Sequence, residues 1–184
     1  MLRNNKELGF AFLAMIMITG VYGAFITLSR EIPPAGELFG HSMGIVGFIF
    51  MLMTETLYSL RKRSRSVKWG RMSTWLQLHI FTGLVGPYMV LLHSSWKFNG
   101  IAGVTTLLTI IIVFSGFIGR YIFTRIPRTM DGLEIEGTLS QEALKHARRL
   151  MALWHAVHIP IGVALFISAF VHISAALYYA TFLK

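Results

Sequence analysis

Five apolar runs alternate along the chain with short polar stretches, at roughly 8–29, 38–60, 72–96, 101–123 and 150–181. Each is long enough to cross about 30 Å of hydrocarbon as a helix. So much of the chain is used in them that no separate soluble domain is expected. The predicted fold is an all-α bundle of five transmembrane helices, one domain over 1–184.

The first run, from LGFAFLAM to FITLSR, lacks a small-x-small cleavage site and reads as a retained span, not a signal peptide. Its Gly20 and Gly23 are expected to permit close helix contact. Pro33 and Pro34 stiffen the turn EIPPAGE that follows. In the second run Gly40, Gly44 and Gly47 share related faces, where small residues let a helix or a flat cofactor approach the backbone; packing is the favoured role. RKRSRSVKWGR is a loop, with Trp69 and Trp75 where an interfacial belt is expected. The third run contains Gly83 and Gly86, and WKFNG turns into a fourth that is nearly all aliphatic until Ser115 and Gly116. The longest extramembrane piece is 124–149. Its Thr138 to Gln141 fits a capping box, so a helix is predicted to start there and continue through SQEALKHARRL into the fifth span.

Composition agrees with a membrane domain: 54% of the 184 residues are hydrophobic and the mean hydropathy is +0.61. The net charge of +9 raises nucleic acid as a partner, but the distribution of charge argues against it. Fourteen of the 17 Lys and Arg fall at Arg3 and Lys6, in the 61–71 loop, or from Arg120 to Arg149. Only Arg30, Lys97 and Lys184 lie on the other side. The positive-inside rule then puts the N-terminus in the cytoplasm and the C-terminus outside. A basic rim beside anionic lipid accounts for the charge without nucleic acid. The expected location is a prokaryotic plasma (inner) membrane, crossed several times. With no cysteine there is no disulfide, thiolate metal site, iron–sulfur cluster or covalent haem attachment.

Four histidines carry the chemistry. His79 and His93 lie fourteen residues apart in the third run, and His158 and His172 fourteen apart in the fifth. On a helix that separation leaves two side chains about 40° apart in direction and about 21 Å apart along the axis. Both runs are predicted to travel outward. His79 is eight residues past Arg71 and His158 nine past Arg149, about 12–14 Å in; His93 and His172 are about 33–35 Å in by the same measure. The pairs therefore match in depth as well as spacing. A lone membrane histidine is more often a packing or hydrogen-bonding residue. Four at matched depth point instead to two b-type haems, an inner one on His79 and His158 and an outer one on His93 and His172.

His155 competes with His158 as inner ligand, but its offset from His172 grows to about 100°. His158 is preferred, leaving His155 for an inner propionate or a quinone. His41, at the level of the outer pair, is either an interfacial residue or a neighbour of the outer haem. Arg120 is a candidate for inner propionates, beside Tyr121, and His146 among its basic neighbours is expected to be solvated. Glu55, the one carboxylate inside a predicted span, either snorkels to the inner surface or relays protons.

LHIFTGLVGPYMVLLH in the third run and HIPIGVALFISAFVH in the fifth resemble the ligand-bearing helices of ferric-reductase-like di-haem membrane cytochromes b. That superfamily includes the NADPH oxidases and bacterial membrane haem subunits. The resemblance covers chiefly 72–175 and rests more on histidine spacing and helix order than on an exact motif. It implies haems held by the third and fifth helices. The chain departs from the superfamily in having five spans where six are common and no flavin or nicotinamide domain after them, which argues against NADPH oxidation.

Three functions are open at this point. The first is an electron-transfer subunit of an oxidoreductase, linking a quinone pool to a redox partner protein in a respiratory or photosynthetic assembly. The second is a self-contained reductase passing electrons to an outer acceptor such as ferric iron. The third is a non-redox metal or proton transporter.

Overall fold

A computed structural model describes residues 6–63, 70–126 and 140–182. Among them all regular structure is helical, with no strand, and there are five helices: α1 (Lys6–Ser29), α2 (Leu38–Arg63), α3 (Met72–His93), α4 (Gly100–Phe123) and α5 (Gln141–Phe182). All five are long and apolar enough to cross a membrane. They form two compact units, α1 to α3 in one and α4 with α5 in the other.

Helix ends depart from the apolar runs where local chemistry decides them. α3 stops at His93, not at 96, because Ser95 and Trp96 take left-handed backbone conformations, at φ 49° and 61°. Such conformations cost a non-glycine residue roughly 1–2 kcal/mol each. The Ser95 hydroxyl donates to Pro33 O, tying the turn to the α1–α2 connection. α1 ends on Arg30, also left-handed (φ 58°), whose N–H closes on Ile26 O at 2.8 Å. α5 starts at Gln141 with Ser140 as its cap, the hydroxyl accepting from Ala143 N–H at 3.3 Å. The cap is thus Ser140; Thr138 of the expected capping box lies outside the described residues, as do Arg3 and Trp69. α2 and α5 run on into basic sequence because a helix needs no lipid once its side chains reach water.

In the first unit α2 and α3 are antiparallel and closely apposed. A Cβ on Gly47 would stand 2.8 Å from Gly86 O, and one on Gly86 would stand 2.9 Å from Gly47 O. Only glycine at both positions lets the two backbones approach this way, which matters where dispersion rather than water drives helix association. A Thr54 to Thr82 hydroxyl bond of 2.7 Å lies in the same seam. α1 runs parallel to α3, with Thr19 bonded to the Tyr88 hydroxyl and the Tyr22 hydroxyl 3.5 Å from Leu92 O. Ala11, Val85 and Met89 form the core there, flanked by Ile18, Phe50 and Phe81.

Two expectations for α1 are corrected. Gly20 and Gly23 have nothing within 4 Å of a Cβ, so α1 makes its contacts through Ala11, Thr19 and Tyr22 instead. Starting at Lys6, α1 also takes in Glu7, a carboxylate only 6% exposed.

In the second unit α4 and α5 are antiparallel. Thr105 meets Ser168 across them at 2.7 Å, and the buried face of α5 runs through Ala147, Met151, Leu165 and Ala169. Pro87 in α3 and Pro160 in α5 each remove one intrahelical hydrogen bond.

Candidate functional site

Both histidines of α3 are held by α2. Nδ1 of His79 lies 2.9 Å from Thr54 O, and Nδ1 of His93 lies 2.8 Å from Gly40 O. Thr54 and Gly40 are themselves fourteen residues apart, so a single register of the antiparallel pair serves both rings. A backbone carbonyl can only accept a hydrogen bond. Each ring must therefore donate from Nδ1, and in the neutral imidazole that puts the lone pair on Nε2. That is the state of a metal-ligating imidazole whose second nitrogen is fixed by a carbonyl.

α2 also shapes the space around His93. A Cβ on Gly44 would fall 2.8 Å from Cγ and Nδ1 of that ring, so the imidazole lies directly against the α2 backbone. Of the three α2 glycines, Gly47 is a helix contact, Gly44 is a ring contact, and Gly40 supplies the carbonyl. The His41 ring stands edge-on to His93 with centroids 6.3 Å apart, and His41 itself is exposed. Glu55 is exposed too and follows Thr54, the residue that holds His79.

In the second unit the partner of His158 is a side chain. Its Nδ1 lies 2.9 Å from Ser115 Oγ. Ser115 also accepts, through its backbone oxygen, the indole N–H of Trp154 at 2.7 Å. The Trp154 ring stacks on His158 with centroids 4.5 Å apart and planes 28° apart. Gly119, one turn further along α4, leaves room for that indole; a Cβ there would lie 2.2 Å from Trp154 Cε2. His155 stands edge-on to Trp154 at 4.7 Å, with Nδ1 2.9 Å from Met151 O of its own helix. His172 is half-buried, and among the described residues its ring makes no hydrogen bond.

Arg120 is half-buried in the last turn of α4, next to Gly119. Tyr121 is engaged by Arg125, whose guanidinium sits 4.7 Å above the ring and bonds its hydroxyl. His146 is exposed. Sequence reasoning missed the α2 carbonyls, which carry no signature in the residue types. It also missed Ser115 and Trp154 as the partners of His158, although a hydroxyl interrupting an aliphatic helix was visible.

The α3 donors fit a b-type haem: two imidazoles on one helix, each with its orientation fixed from behind by a bond from Nδ1 to an α2 carbonyl. His158 fits when Ser115 accepts from it. No family model, curated protein or solved structure matches the chain.

Proposed function

We propose that this chain is a membrane electron-transfer subunit that holds two b-type haems, one on His79 and His158 and the other on His93 and His172. The observation that carries the proposal is the paired anchoring of α3. Two imidazoles, fourteen residues apart, each donate to an α2 carbonyl, and those carbonyls are fourteen residues apart as well. Packing alone has no need to fix Nδ1 on a main-chain carbonyl twice, at the same spacing that recurs in α5.

Held by these histidines, such haems would supply one-electron transfer. The chain's own part is to fix the rings, exclude water with its apolar helices, and balance charge at the inner end. Arg120 is the residue to neutralise inner propionates, and His155 to face a propionate or a quinone. His41 stands beside the outer ligand, and Glu55 is the proton acceptor near the inner one. We assign the N-terminus to the cytoplasm and the C-terminus to the outside of a plasma membrane from the basic residues of 61–71 and 120–149. A quinone and a redox partner protein complete the path, since a chain without cysteine has no iron–sulfur cluster of its own.

The test is a reduced-minus-oxidised visible spectrum of the purified chain, repeated for two variants. His158→Ala is expected to lose one haem, and His155→Ala to keep both with altered quinol kinetics. Loss from His155→Ala with retention in His158→Ala would exchange their roles. Full quinol-to-acceptor turnover by the lone chain would favour the self-contained reductase, and a spectrum without haem bands the transporter.

A further inference from the structure

The carbonyl anchors of α3 and the hydroxyl anchor of α5 differ in chemistry. A carbonyl accepts only, whereas a serine hydroxyl both donates and accepts. Ser115 engages two α5 side chains at once, His158 through Oγ at 2.9 Å and Trp154 through its backbone oxygen at 2.7 Å. Trp154 in turn covers one face of the His158 ring, in the space that Gly119 leaves open. The imidazole is thus fixed in two directions, by a hydrogen bond in its plane and by an indole on its face.

Building on the two-haem proposal, we infer that Ser115 is the positioning residue of the inner ligand: its hydroxyl accepts from His158 Nδ1–H and so keeps Nε2 as the ligating nitrogen. The other three anchoring bonds of histidine rings in the described residues, at His79, His93 and His155, go to backbone carbonyls and impose that tautomer unconditionally. At His158 the Nδ1 bond goes to a side chain instead. When Ser115 instead donates, Nδ1 bears the lone pair and Nε2 the proton, and the ring cannot ligate through Nε2. Hydrogen bonding behind a ligating imidazole raises its basicity, so the inner haem's potential is the quantity Ser115 sets.

The experiment is a spectroelectrochemical redox titration of the full chain, comparing wild type, Ser115→Ala and Ser115→Thr. Ser115→Ala is expected to shift the midpoint of one of two haems, or to remove that haem, and to leave the other unchanged. Ser115→Thr, which keeps the hydroxyl, is expected to restore the wild-type midpoint. Nitrogen-15 NMR of histidine-labelled, haem-free chain supplies the second readout: the fraction of His158 carrying its proton on Nδ1 falls in Ser115→Ala and returns in Ser115→Thr. Equal shifts of both haems, no shift, or failure of threonine to rescue overturns the role of Ser115 while leaving two haems in place. A wild-type chain without haem defeats the underlying two-haem proposal, and this inference with it.

Discussion

The two histidine-bearing units solve one problem with different materials. In the first, α2 grips both rings of α3 through main-chain oxygens, Thr54 for His79 and Gly40 for His93. In the second, α4 grips His158 through a serine hydroxyl, and His172 makes no hydrogen bond among the described residues. Main-chain anchors survive any substitution that leaves the helices in register; side-chain anchors are removed by a single change. The first unit is therefore a rigid half-clamp whose weak point is the fit of α2 against α3. The second is adjustable, and its weak point is the identity of individual residues.

The largest effects should come from the four histidines proposed as ligands. His93→Ala or His79→Ala is expected to abolish binding of one haem, leaving one per chain by haem quantification. Retention of both would break the comparison at its root.

A disturbance of the α2 surface should come next. Gly44→Val places carbon where the His93 ring now lies, since even a Cβ would be 2.8 Å from Cγ. Because that ring is pinned to Gly40 O, it must either lose the bond or push α2 away. Overpacking of this kind costs typically 1–3 kcal/mol. The expected readout is selective loss of the outer haem, with the inner spectrum unchanged.

Gly119→Ala is the matching change in the second unit. It forces Trp154 off its present position, which lies 2.2 Å from the new Cβ, and so uncovers His158 without altering Ser115. The expected result is a changed line shape of one low-spin ferric haem by electron paramagnetic resonance, with both haems still bound. An unchanged spectrum would show that Trp154 has no part in orienting the ring.

These contrasts also mark what the residue pattern could reveal. Long apolar runs made the five helices legible, because length and hydrophobicity are all that a span requires. The ends were less so. Ser95 and Trp96 are held left-handed by a hydroxyl bond to Pro33, sixty-two positions away, a tertiary contact that leaves no local trace. Histidine spacing announced the candidate ligands, since a helix converts fourteen residues into a shared face. Glycine spacing announced shared faces too, but not which faces are used. Gly44, Gly47 and Gly86 meet neighbours, while Gly20 and Gly23 meet nothing within 4 Å. The carbonyl anchors were invisible because every residue has one.

The smallest effect concerns the seam of the first unit. Thr82→Val keeps the shape but removes the hydroxyl that accepts from Thr54 at 2.7 Å. Hydrogen bonds between membrane helices average about 0.6 kcal/mol, up to about 1.7. A fall in thermal midpoint of a few degrees with unchanged haem content is expected. A loss of haem here would mean that the α2–α3 register depends on this bond rather than on the glycine contact.

The central claim is that four histidines hold two haems in one chain. Pyridine haemochrome quantification against amino-acid analysis, on the purified and folded full chain, tests it most directly. The expected ratio is about two haem b per polypeptide, the count that two imidazole ligands per iron allow for four histidines. A ratio of one, or of none, would contradict it.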